Sequence, residues 1–179
     1  DVGEGAVGDV NVTGDFSGRV LGIAGIGNIT VGGDLSGVTG QSVFHTISDT
    51  EGDAYLANIG TLTVTGDTDI NDTGNLINID VNGSFGNIAL NGGGTEVGII
   101  KIDGDQGVTS SGTITITGGT TAGVTMLGVI AAEDSIGAIT VTGDGTTGTT
   151  FTLDGGGNVG IEATAVDIGD ITISGFDTI

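Results

Sequence analysis

Apolar side chains recur at every second position in short stretches bounded by glycine: Val10 and Val12, Ile29 and Val31, Leu62 and Val64, Ile100 and Ile102, Ile139 and Val141, Ile171 and Ile173. A period of two marks a strand with one buried face. Eleven of these twelve residues are β-branched, the type that a pleated, half-buried surface selects. Each pair sits inside a nine-residue pattern: apolar, Gly, any, apolar, any, apolar, any, Gly, Asp. It is complete at residues 7–15, 26–34, 59–67, 97–105 and 136–144. A sixth copy begins at Ile168, reaches Gly175 and places Phe176 before Asp177, and looser copies begin at Leu76, Phe85 and Ser111.

The starts of the strong copies are 19, 33, 38, 39 and 32 residues apart, and 38 and 39 are close to twice 19. A short, nearly fixed step with glycine corners predicts a chain coiling on itself, each turn laying a strand beside the last at about 4.8 Å. The expected fold is all-β: a right-handed parallel β-solenoid of about nine short coils, roughly 40 Å long. A β-sandwich of short strands is the alternative. One domain spans residues 1–179, with insertions near 37–58, 119–135 and 145–167. The flanking glycines are expected to supply φ > 0 at corners. The lack of proline leaves every N–H available to the ladder. Phe16, Phe85, Phe151 and Phe176 are expected in the interior or at a joint between subunits.

Composition narrows the class. Glycine fills 39 of 179 positions, and there is no proline and no cysteine. These values exclude collagen and a disulfide scaffold. A mean hydropathy of +0.33 argues for an ordered chain. Twenty-three acidic residues face two basic ones, Arg19 and Lys101, for a net charge of −21. That balance excludes nucleic acid as a partner, since phosphate backbones are bound by clustered Lys and Arg. No apolar run approaches a membrane span. High acidity without cysteine suits a secreted prokaryotic protein, and a first residue Asp1 suits a processed chain or a fragment.

Candidate chemistry is sparse. The cations Arg19, His45 and Lys101 fall in separate regions of the sequence, so no nucleophile and base can be assembled and no enzyme is expected. His45, in Val43-Phe44-His45-Thr46, reads as an outward polar residue on an inserted strand. Asp67, Asp69 and Asn71 alternate as the first ligands of a calcium loop do, making Ca²⁺ the one candidate metal. The pattern then departs from that loop, with Asp72 at its sixth position and Asn78 at its twelfth. Asp49, Glu51 and Asp53 form a weaker version. No cofactor is required. The corner residues Asp15, Asp34, Asp67, Asp105 and Asp144 read as turn-fixing side chains that accept a nearby backbone N–H.

Thr-x-Thr pairs at Thr63 and Thr65, Thr115 and Thr117, and Thr140 and Thr142 resemble the flat arrays of solenoid ice-binding proteins. Against that, other copies carry Asp80 and Asn82, or Lys101 and Asp103, which would make the face charged and uneven. Both ends of the sequence continue the strand pattern. Val2 at the start, with Phe176 and Ile179 at the finish, are therefore the expected assembly residues of a head-to-tail homopolymer. The Ile-Gly-x-Ile-Thr-Val-x-Gly-Asp copies, one of them followed by Leu35-Ser36-Gly37, resemble repeats of large secreted prokaryotic surface proteins. That resemblance implies an adhesin, S-layer-like or filament role at the cell surface, with cell-surface glycans as further partners and no catalytic residues to carry over.

Overall fold

The nonapeptide alternation is realised as parallel ladders in which equivalent residues lie side by side. The computed structural model describes residues 5–36, 43–46, 57–66, 77–81, 83–91, 95–102, 110–117, 124–126, 129–132, 135–143, 151–153, 160–163 and 167–177. A first sheet holds seven strands in the order Val10–Val12, Ile29–Val31, Leu62–Val64, Ile88–Asn91, Ile114–Thr117, Ile139–Thr142 and Ile171–Ser174. Every neighbour pair is parallel and in register, so that Val10 faces Ile29, Ile29 faces Leu62, and so on to Ile139 and Ile171.

A second sheet runs Val20–Gly22, Phe44–Thr46, Ile77–Val81, Thr95–Ile102, Val124–Met126 and Phe151–Leu153. Val129–Ala132 and Gly160–Ala163 extend it beside Thr95–Ile102. The chain visits the two sheets alternately, and each return lands next to its previous visit. Ser110–Ser111, Ser135–Ile136 and Asp167–Ile168 form a third, narrow sheet, and Phe16–Ser17 pairs with Leu35–Ser36. All described ladders are parallel, whereas a sandwich of hairpins requires antiparallel ones. No helix occurs among the described residues.

Two features differ from the sequence reading. The complete nonapeptide at 97–105 does not enter the first sheet; its strand, Thr95–Ile102, belongs to the second. The looser copies at Phe85 and Ser111 take the vacated places, bridging Ile59 to Phe85 and Phe85 to Ser111. The central steps, from Ile59 to Phe85, Ser111 and Ile136, are therefore 26, 26 and 25 residues instead of 19 or twice 19. Longer turns mean fewer strands: seven in the first sheet, spanning about 29 Å at 4.8 Å per step. The segments expected as insertions also contribute pairing strands, namely Phe44–Thr46, Val124–Met126, Val129–Ala132, Phe151–Leu153 and Gly160–Ala163.

The inward columns form one core. Ile29, Leu62, Ile88, Ile114 and Ile139 stack in the first column, and Val31, Val64, Leu90, Ile116 and Val141 in the second, all buried. Ile79 and Phe44 meet them from the second sheet, and Phe85 joins from its bridge position. Phe16, half-buried, stacks on Phe44 with ring centroids 6.0 Å apart. Each buried Val, Leu or Ile contributes about 1.5–3 kcal/mol, so the repeated columns are the main source of stability.

The repeat glycines answer to crowding between turns more than to backbone handedness. A Cβ on Gly60 would lie 2.7 Å from Asn28 Oδ1 and 2.9 Å from the Gly27 carbonyl carbon, and one on Gly86 would lie 2.7 Å from Gly60 O. Side chains there would push adjacent turns apart. Positive φ, the expected reason for corner glycines, is found among the described residues at Gly175, with φ 76°, and at Gly25 and Gly83, with φ 118° and 155°, which lie just before the copies at Ile26 and Phe85.

Candidate functional site

The side chains that link one turn to the next come from the third position of the repeat. That position reads Asp9, Asn28, Thr61, Asn87, Thr113, Ala138 and Asp170 along the first sheet. Asn28 N–H donates to Asp9 Oδ1 at 2.8 Å. Thr61 N–H and Thr61 Oγ1 both donate to Asn28 Oδ1, at 3.0 and 2.9 Å. Thr113 does the same to Asn87 Oδ1, at 2.9 and 3.0 Å. On neighbouring corners Ser84 N–H donates to Asn58 Oδ1 at 2.7 Å and Asp34 N–H to Asp15 Oδ1 at 2.9 Å. A short amide or carboxylate thus captures a backbone N–H that the strand ladder leaves over.

This corrects the local reading of the corner aspartates in one respect. Asp15 does accept a backbone N–H, but from the next turn, 19 residues on, and not from its own. The acceptor role of Asn28, Asn58 and Asn87 is not among the expectations drawn from the sequence, where Asn28 figures only as the Asn of an Asn-x-Thr sequon. Their signal was available for two of them, in the recurrence of Asp or Asn directly after the Gly of the pattern.

Of the candidate metal ligands, Asp67, Asp69 and Asn71 all lie outside the described residues, as do Asp49, Glu51 and Asp53. Among the described residues no group of three or more His, Asp or Glu is placed to hold a metal ion. Val2 and Ile179 are also outside. Phe176 is described: it is half-buried and packs against the core beside the last strand of the first sheet. No described helix is long and apolar enough to cross a membrane.

The cations are closer than their sequence positions imply. In the second sheet His45 is in register with Asp80, and Asp80 with Lys101. Arg19 immediately precedes the strand Val20–Gly22, which pairs with the strand carrying His45. His45 and Lys101 therefore belong to one sheet, and Arg19 adjoins it. His45 itself is half-buried.

Among the described strand residues, the outer face of the first sheet carries no charge. One registered column reads Asn11, Thr30, Thr63, Ala89, Thr115, Thr140 and Thr172. A second contains Asn91, Thr117, Thr142 and Ser174. Asp80 and Lys101, which the sequence placed on this face, belong to the second sheet.

At the two edges of the first sheet stand Val10–Val12 and Ile171–Ser174. Their inward residues are less covered than those between them: Val10 and Val12 are half-buried, and Ile171 is 48% exposed where Ile139, one turn earlier, is 1% exposed. The chain matches no family model, no curated protein and no solved structure.

Proposed function

We propose that the chain is a right-handed parallel β-solenoid acting as a structural, non-catalytic subunit of an extracellular filament or surface layer in a prokaryote, with copies stacking turn upon turn. The winding is inferred from the strict alternation between two parallel sheets. The observation that carries the assembly is the pair of edge strands. Val10–Val12 and Ile171–Ser174 have the same repeat pattern, half-covered apolar columns and ladder groups that a further parallel strand would complete. Electron microscopy and sedimentation of the purified chain test this. Filaments or sheets formed by the chain alone support it. Dispersed monomers at all concentrations favour the rival, a rod-like repeat segment of a large secreted adhesin whose activity resides in another domain.

A second reading is favoured by the uncharged outer face. With Asp80 and Lys101 assigned elsewhere, the outer columns are neutral and mostly threonine at the strand spacing, interrupted by Asn11, Ala89, Asn91 and Ser174, and ice is a surface such an array could meet. Thermal hysteresis in a solution of the chain supports ice binding, and its absence at millimolar concentration removes it.

A further inference from the structure

We infer that Asn11 is a glycan acceptor: the sequon Asn11-Val12-Thr13 carries an N-linked oligosaccharide on the outer face of the first sheet. This rests on the extracellular placement proposed above and assigns that face a covalent modification.

Four Asn-x-Ser/Thr sequons occur, at Asn11, Asn28, Asn71 and Asn82, in a chain without proline. This triplet is what an asparagine-directed oligosaccharyltransferase accepts in a secreted chain. Asn71 and Asn82 lie outside the described residues. The structure separates the other two. Asn28 Oδ1 is held by Thr61 N–H at 3.0 Å and by Thr61 Oγ1 at 2.9 Å, which clamps its amide against the next turn. Asn11 and Thr13 are both exposed, and neither side chain has a hydrogen-bond partner among the described residues.

The place of Asn11 makes that freedom informative. It stands inside a strand, in the registered column that continues as Thr30, Thr63, Ala89, Thr115, Thr140 and Thr172. Asparagine is disfavoured in strands. At the corners Asn28, Asn58 and Asn87 offset that preference by each accepting an N–H from the next turn. Asn11 makes no such contact, so its amide is left for chemistry. There is also room for a sugar: Asn11 lies beside Thr30, and Thr13 beside Gly32, whose N–H donates to Val12 O. Side chains stand roughly perpendicular to a sheet, so a glycan on Asn11 leaves the ladder to Ile29–Val31 and the inward Val10 and Val12 undisturbed.

The co-reactant is a lipid-linked oligosaccharide diphosphate. Asn11 Nδ2 bonds to the anomeric carbon of its first sugar, the bond from that carbon to the diphosphate oxygen breaks, the lipid diphosphate leaves, and the Nδ2 proton passes to a base of the transferase.

The experiment is glycopeptide mass spectrometry of the full chain, secreted from a host whose export route carries such a transferase, comparing wild type with Asn11→Gln, Thr13→Ala and Asn28→Gln. Circular dichroism confirms that the secreted chains are folded. The expected result is a glycan mass on the Asn11 peptide, lost in Asn11→Gln and Thr13→Ala and kept in Asn28→Gln. An unmodified Asn11 in the folded wild type, occupancy of Asn28 equal to that of Asn11, or loss of the folded spectrum on modification overturns the assignment. None of these results touches the filament reading, which sedimentation of the Asn11→Gln chain tests separately.

Discussion

Asn28 Oδ1 accepts two hydrogen bonds from a single residue 33 positions later, from Thr61 N at 3.0 Å and from Thr61 Oγ1 at 2.9 Å. Asn87 and Thr113 repeat the arrangement 26 positions apart. Asn87→Ala removes both bonds and leaves Thr113 N–H to water at an exposed corner, for a loss of about 1–2 kcal/mol. Chemical denaturation monitored by circular dichroism should show a lower midpoint for Asn87→Ala, and a near-normal one for Asn87→Asp, which keeps the acceptor.

The same repeat position should respond in opposite ways to one substitution, depending on whether neighbouring backbone crowds it. Gly60→Ala drives a methyl against Gly27 and Asn28 of the previous turn, whereas nothing lies within 4 Å of a Cβ on Gly8. Gly60→Ala is expected to cost about 1–3 kcal/mol, the usual price of overpacking. Gly8→Ala should be neutral or stabilise by up to about 1 kcal/mol through the unfolded chain. Melting temperatures of the two variants check the contrast.

Core truncation should follow the columns. Leu62→Ala and Ile116→Ala, at fully buried positions, are expected to cost about 2–5 kcal/mol each. Ile171→Ala, from a residue 48% exposed, should cost clearly less in the dispersed chain. Phe176→Ser should loosen the last turn, because the ring packs on the core there. Under the proposed assembly Phe176→Ser also hinders stacking, so assembly unchanged in that variant would remove Phe176 from the joint.

With a net charge of −21, self-repulsion opposes the folded state and is relieved by counterions. The melting temperature should therefore rise with NaCl in the presence of EDTA. CaCl₂ at matched ionic strength separates screening from site binding: a further rise that Asp69→Asn abolishes would place calcium at Asp67, Asp69 and Asn71. A melting temperature unchanged across EDTA, NaCl and CaCl₂ would remove both effects.

The first sheet was largely legible because it repeats a demand. A residue such as Val64 must be apolar, and the glycine after Thr65 must be small, since both face a nearly identical turn. The Val97 copy misled for the same reason: the second sheet imposes the same alternation on Ile100 and Ile102, and a nine-residue window carries no mark of which sheet it serves. Ser111 was undervalued because it is polar, yet it is buried and its Oγ accepts Gly137 N–H at 3.3 Å. The meeting of His45, Asp80 and Lys101 in one column was invisible, because it depends on turn lengths that composition and periodicity do not encode.

The corner ladder has a direction. In each side-chain link described between turns the acceptor, whether Asp9, Asp15, Asn28, Asn58, Asn87 or Ser111, belongs to the earlier turn, and the donor to the later one. During synthesis, a segment emerging at one of these corners therefore meets an acceptor already in place on the finished part of the molecule. A protein whose pairings are all distant in sequence, normally slow to find them, can in this way be built like masonry, each course laid on the one below while the ribosome is still delivering the next.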